Sequence, residues 1–333
     1  MKPTESFLNF ALFVSFFPQL VAGPIERAKH LLPQLNKIEK PSLLYIKEGI
    51  ALISVGMFKK IIIGDTLGRI VDPVFAEPEY YGSIELFAAL ILFSLQIYND
   101  FSGYSHIARG TARLLGIDLM ENFNQPYLST NITEFWRRWH ISLSSWLRDY
   151  LYIPLGGNRK GNVRTYVNLM LTMLLGGLWH GANWTFVVWG GLHGLYLAVH
   201  KLMMGSKKPR YDNDFKREKG SVVLFLIKLL STNLLVLLTW LFFRADSFDS
   251  AFLFLNRVFM FTESSFALRF ITITTTFGIL SLIFDYLEYT RKSHTFWVNI
   301  NAPVRYAAYT VMWFYALLYM FQAEPMPFIY FQF

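Results

Sequence analysis

Gly176-Gly177-Leu178-Trp179-His180-Gly181-Ala182-Asn183-Trp184 interrupts an apolar run that extends from Tyr166 to His200. From Tyr166 to Trp179 a helix rises only about 20 Å at roughly 1.5 Å per residue, short of the roughly 30 Å of a bilayer's hydrocarbon core. If Tyr166 starts near one face, His180 lies at membrane depth. The return run from Trp184 to His200 is similarly short, so the pair reads as a re-entrant or tilted hairpin. Irregular backbone at that depth is tolerated only where protein or a water-filled cavity surrounds it. An ionisable side chain there is a functional candidate by default.

Hydrophobic residues make up 53% of the 333-residue chain and charged residues only 16%. That balance is too apolar for an ordinary soluble protein and fits a polytopic membrane protein. The formal charge of +8 comes from short basic clusters beside apolar segments. This is the pattern of cytoplasmic loops, and it makes the lipid bilayer the expected partner and nucleic acid a poor one. There are no cysteines, which excludes disulfides, thiolate metal sites and an acyl-cysteine intermediate on this chain. A thioester, if one takes part, comes on another molecule. The sequence offers no cluster spaced to bind a metal.

Taken in order, residues 5–17 are apolar and stop at Phe17-Pro18, with no signal-peptide pattern. The run 44–63 carries Lys47, Glu48, Lys59 and Lys60 and is expected to be an amphipathic or bundle-lining helix. Residues 84–98 form a stronger apolar helix that ends in Gln96, Asn99, Asp100, Ser102, Gly103, Ser105 and His106, polar groups that need a cavity or partners within the protein. Asn131 and Glu134 give an N-cap signal for a helix over 132–151. On it Trp136, His140, Leu143 and Leu147 share one face, and Arg137, Ser144 and Arg148 another. Basic, Trp-rich and too polar to span, that helix is expected along the membrane interface. Basic stretches at 154–164 and 201–220 flank the hairpin and place both its ends on the cytoplasmic side. Full spans are expected at 221–243, 266–287 and 306–322. No internal repeat or soluble domain is visible, so one membrane-embedded domain over 1–333 is the simplest account.

Several runs in this order are specific: Pro18-Gln19-Leu20-Val21-Ala22-Gly23-Pro24-Ile25, Asp100-Phe101-Ser102-Gly103-Tyr104-Ser105, Phe135-Trp136-Arg137-Arg138-Trp139-His140-Ile141-Ser142, Asp149 through Asn158, and Leu178-Trp179-His180-Gly181. Together they resemble the membrane-bound O-acyltransferase (MBOAT) family, in particular its bacterial branch typified by the alginate O-acetylation membrane subunit. The resemblance implies an all-α, polytopic helical bundle with a re-entrant or short-helix core. It implies an O-acyltransferase with acetyl-CoA or another acyl thioester as donor substrate, no tightly bound cofactor, and a polysaccharide acceptor outside the cell. It further implies an extracytoplasmic acetyltransferase or esterase-like partner and a multi-pass location in the bacterial cytoplasmic or inner membrane. His180 corresponds to the family's catalytic histidine and His140 to its second, supporting position. Two departures matter: family members usually carry further membrane helices before the Pro18–Ile25 motif, the pattern of a truncated or split chain here, and His106 stands where the family usually has Asp.

Acyl transfer to an alcohol needs a base for the hydroxyl proton, donors for the oxyanion and shelter from water. A neutral imidazole suits the first task. The residues alone leave His180 evenly poised between base and a structural donor to a carbonyl near Gly176-Gly177, and the resemblance favours catalysis. For His140 the residues alone favour packing, while the resemblance assigns it to positioning the acceptor or the acyl carbonyl. Trp179, Asn183 and Trp136 are candidates for lining the substrate path, with packing as the alternative. Asp100 could orient an imidazole or substrate, but the residues favour a structural ion pair with Arg137 or Arg138. Arg159 and Lys160 could hold the phosphates of the acyl carrier, and a plain connector explains them equally well. His30, His193, His200 and His294 are assigned to packing or interfacial anchoring. The competing readings are a transport or channel-like protein with a polar hairpin, or an inactive assembly subunit or fragment.

Overall fold

The computed structural model describes residues 6–20, 23–37, 39–205, 221–322 and 326–329. The basic stretch 206–220, Val21 and Ala22 of the first motif, Glu324-Pro325 and the tail from Tyr330 lie outside the described residues. Among those described every regular element is helical. Helix α1 (Phe7–Ser15) is capped by Ser6 Oγ, which accepts from Asn9 N at 3.3 Å, and it stops before Pro18. Helix α2 (Ala28–Leu35) follows, then α3 (Leu43–Met57), capped by Ser42. A π-helical stretch at Phe58–Asp65 joins α3 to α4 (Thr66–Ala76) without a break. Helix α5 (Ser83–Leu114) has 32 residues, about 48 Å of rise. The polar run from Gln96 to His106 therefore lies within a helix rather than at its end.

Next come α6 (Ile132–Arg138), α7 (Ile141–Leu147), α8 (Gly161–His180), α9 (Trp184–Met204), α10 (Val222–Arg244), α11 (Phe248–Phe259), α12 (Ala267–Arg291) and α13 (Ala302–Gln322). By length and hydropathy α5, α10 and α12 can each cross a membrane. Only 17% of the apolar window is buried in α10 and in α12, against 78% in α5, so the first two offer their side chains outward and α5 is a core helix. The chain is a multi-pass membrane protein.

The chain divides into two compact units, one made of Met1–Glu77, Phe87–Asn124 and Ser264–Phe333, the other of Pro78–Leu86 and Gln125–Glu263. In the first, α3 and α5 approach through glycines seven residues apart on each helix. A Cβ on Gly49 would sit 2.8 Å from Gly110 O, and one on Gly56 would sit 2.6 Å from Gly103 O, so the two helices run antiparallel in backbone contact. Ala51 and Val55 of α3 bury with Phe284, Phe296, Trp297, Tyr309 and Met312 to form a core there.

In the second unit α8 and α9 make the hairpin. With 20 and 21 residues they are longer than the apolar pattern suggests, because α8 starts at Gly161 and α9 runs on to Met204. Each rises about 30 Å. Gly177 and Gly190 face each other: a Cβ on Gly177 would meet Phe186 O at 2.2 Å, and one on Gly190 would meet Met173 O at 2.2 Å. Replacing Gly190 by alanine must therefore push the helices apart. We expect a loss of about 1–3 kcal/mol, as for other overpacked sites, measured as a lower midpoint of thermal unfolding in detergent. An unchanged midpoint would mean that the helices are not in backbone contact at this level.

Candidate functional site

His180 is the last residue of α8, followed at once by the extended Gly181. Its half-buried ring stands in an aromatic cage. Ring centroids lie 5.0 Å away for Trp179, 5.1 Å for Trp189, 5.2 Å for Phe243 and 6.3 Å for Phe186. Phe186 and Trp189 sit three apart on α9 and so point to one side of it. Phe243 arrives from the end of α10. Trp179 is exposed and stands on the outer side of the imidazole, whose Nδ1 is buried. The indole Nε1 of Trp189 is buried and meets no acceptor among the described residues.

His140 comes to the same place by a different route. The helix expected over 132–151 breaks at this residue, which takes a left-handed backbone (φ 41°, ψ 56°) and heads α7. Such a conformation is uncommon for a non-glycine residue and is held by its surroundings. The break resets the helical phase, so His140 does not continue the stripe of Trp136, Leu143 and Leu147. Its ring centroid lies 6.5 Å from that of Trp179, which in turn contacts His180. Burial first, then the nearby His180 imidazole, holds His140 well below the ordinary imidazole value, so it stays neutral. The Asn131 cap forms as expected: its Oδ1 accepts from Glu134 N at 2.9 Å.

The structure brings His180, His140 and Trp179 together. Trp136 belongs to a neighbouring structural relay: its Nε1 donates to His193 Nδ1 at 3.2 Å. The Thr239 hydroxyl donates to Val236 O at 2.7 Å, so it accepts from His193 Nε2 at 3.0 Å. These bonds fix a neutral, fully used His193, in keeping with its assignment to packing, and they occupy the polar atom of Trp136. Asn183 is likewise committed. Its Oδ1 accepts from Thr185 N at 3.1 Å to cap α9, and its Nδ2 donates to Asp246 O at 2.9 Å. Arg159 and Lys160 are exposed in the turn before α8, where Gly157 O accepts from the buried Asn168 Nδ2 at 3.1 Å.

Asp100 belongs to the other compact unit and pairs with neither Arg137 nor Arg138. Its Oδ1 takes Lys60 Nζ at 2.8 Å and its Oδ2 accepts from Ile329 N at 2.8 Å, while Arg138 pairs with Glu134 at 2.9 Å. Lys60 and the chain near the C-terminus thus hold the carboxylate. The reading of the sequence missed Phe186, Trp189 and Phe243. The first two have a local signal, an aromatic pair at helical spacing just after the turn; Phe243 is too far along the chain to have one.

The fold and the site define a helical membrane protein with a half-buried histidine at the apex of an aromatic-caged hairpin. The profile of MBOAT, the membrane-bound O-acyltransferase family, matches residues 3–240, and the chain belongs to that family. It is similar to the probable alginate O-acetylase AlgI of Pseudomonas fluorescens, with 45% identity over 262 residues, covering 79% of this chain and 50% of that protein. The peptidoglycan O-acetyltransferase of Helicobacter pylori is 42% identical over 247 residues, covering 74% and 45%. The teichoic acid D-alanyltransferase of Streptococcus thermophilus is 29% identical over 217 residues, covering 60% and 51%. The chain spans about half the length of the curated relatives it matches.

Proposed function

We propose that this chain is an O-acyltransferase that moves an acetyl group from a thioester donor towards a hydroxyl of a cell-envelope polysaccharide, with His180 as the general base. The observation that carries the reading is the His180 ring, half-buried among Trp179, Phe186, Trp189 and Phe243 within the stretch matched by the family profile. The neutral imidazole takes the acceptor's hydroxyl proton as the oxygen bonds to the thioester carbonyl carbon. The tetrahedral oxyanion then collapses, the C–S bond breaks, and the imidazolium returns the proton to the departing sulfur. The cage keeps water from the acyl carbon. Trp189 Nε1–H is a donor available to the oxyanion, and the buried, neutral His140 positions the acyl carbonyl or the acceptor.

Acetyl-CoA is the donor we assign, with Arg159 and Lys160 holding its phosphates by charge. The names of the relatives join acyl transfer to alginate, peptidoglycan and teichoic acid, which supports a cell-envelope polymer as the acceptor class. We place the protein in the bacterial inner membrane, working beside an extracytoplasmic acetyltransferase or esterase-like partner. The test is the chain reconstituted in liposomes with acetyl-labelled acetyl-CoA and an oligosaccharide acceptor. Release of free thiol together with labelled oligosaccharide is the expected result. Thiol release no faster than from empty liposomes overturns the reading.

A further inference from the structure

In the unit that contains α3, α5 and α12, a buried cluster takes no part in the acyl-transfer chemistry. His106 on α5, Glu288 near the end of α12 and His294 just beyond it meet although they are far apart in sequence. His106 Nε2 lies 3.0 Å from His294 Nδ1, and that same Nδ1 lies 3.2 Å from Glu288 Oε2. One potential ligand atom from each residue lies within 4.8 Å of the other two, and all three residues are buried. We propose that this is a binding site for a divalent cation of the zinc class, liganded by His106, His294 and Glu288, which pins the C-terminal end of α12 to α5.

Three lone-pair-bearing atoms converge here, and one proton can bridge only two of them at a time. Whichever imidazole tautomer is chosen, a further lone pair faces its neighbour across a buried gap. A cation engages all three. Tetrahedral N and O ligands at about 2.0–2.2 Å from a metal are spaced about 3.3–3.6 Å from one another. Two edges, of 3.0 and 3.2 Å, are a few tenths short of that, and the third, between His106 and Glu288, lies within 4.8 Å, so rotation of the His106 and Glu288 side chains towards each other closes the triangle around an ion.

Charge points the same way. Asp285 and Glu288 share the single ammonium of Lys59, at 3.9 and 3.1 Å. Arg109 is matched by Glu121 at 3.2 Å. Among the described residues of the cluster three carboxyl groups thus face two fixed cations, and the remaining charge, costly in a buried site, is balanced either by a proton on His294 or by a bound cation. Lys59 occupies Glu288 Oε1 and leaves Oε2 turned to the histidines. Glu121 Oε2 stands 3.7 Å from His294 Nε2, beyond hydrogen-bond reach, and adds negative charge on the far side of that imidazole. Two imidazoles and one carboxylate suit zinc rather than calcium or magnesium, which prefer oxygen alone. The sequence gives no hint of such a site, because its ligands come from separate helices.

The experiment uses the untagged chain purified in detergent, stripped with a chelator and titrated with zinc sulfate and, separately, with cobalt chloride. One equivalent of zinc binds and the unfolding midpoint rises on the order of 5 °C with zinc about a hundredfold above Kd. Cobalt gives the visible d–d bands of a tetrahedral site, and a variant carrying His106→Asn and His294→Asn loses both responses. The proposal is overturned if the wild-type chain shows neither cobalt bands nor a shift with zinc, or if the double variant responds as the wild type does. Should the double variant fail to fold, the wild-type cobalt spectrum and stoichiometry decide alone. Neither readout involves acyl transfer, so the outcome leaves the reading of His180 where it stands.

Discussion

Replacing His180 by alanine lowers the rate of acyl transfer by about 10²–10⁴-fold, the range contributed by a positioned general base, while the chain still folds. The fold survives because the ring is half-buried and lies at a helix end, so truncation opens a gap beside Phe186, Trp189 and Phe243 without removing a helical turn. The loss should fall on kcat and kcat/KM together, since the proton moves only in the transition state. His180→Gln keeps the size and a hydrogen-bonding tip but cannot act as a base near neutral pH, and it should fare no better. Trp179→Ala, by contrast, opens the exposed wall of the cage and should raise KM more than it lowers kcat. Steady-state thiol release by the reconstituted protein measures all three. A His180→Ala protein that folds and keeps more than a tenth of wild-type kcat would exclude the imidazole as the base. If it also carried a substrate across the bilayer at the wild-type rate, the polar hairpin would be a conduit.

The hairpin and its histidine were legible because their signals are local. The turn itself is only Gly181-Ala182-Asn183, set between two apolar runs, whereas Gly176-Gly177, read from the sequence as part of the turn, lie inside α8, where Gly177 packs against α9. His140 was legible as a residue and not as a conformation. Trp136-Arg137-Arg138-Trp139-His140-Ile141-Ser142 has no glycine or proline to announce a break, and its apolar spacing continues through the point where the backbone turns left-handed. Tertiary packing decides there: Trp139 is buried against Trp240, with centroids 4.9 Å apart, and its carbonyl accepts from Ser144 Oγ at 3.1 Å. The overrun of α5 has a related cause. A dense polar run looks like a helix end when its partners are unseen, and those partners lie far along the chain: Ser281 for Asn99 at 3.1 Å, Asp285 for Tyr98 at 2.7 Å, His294 for His106 at 3.0 Å. The ion pair expected for Asp100 forms, but with Lys60 rather than Arg137 or Arg138, because Lys60 and the Ile329 amide are long-range partners. The rule of paired buried charges states that such a carboxylate needs a partner but cannot say which one.

The largest loss of stability is expected from Lys59→Met. Lys59 is 1% exposed; its ammonium serves Glu288 at 3.1 Å and Asp285 at 3.9 Å and lies 5.7 Å from the Tyr98 ring centroid and 5.9 Å from that of Phe284. Methionine fills much of the same space, so packing changes little and the charge effect stands alone. Two buried carboxylates then lose their ammonium, and breaking a buried pair from one side costs about 3–5 kcal/mol. Tyr98 still donates to Asp285 at 2.7 Å, which limits the loss there and leaves Glu288 to bear most of it. Neutralising the carboxylates as well, in Lys59→Met with Asp285→Asn and Glu288→Gln, should restore most of the stability, because replacing a whole buried ion group by neutral residues is often close to neutral. Midpoints of thermal unfolding in one detergent compare the three proteins. If the triple variant is no more stable than Lys59→Met alone, the penalty comes from lost packing of the lysine stem, and the charges on α12 do not hold that helix to the segment bearing Lys59.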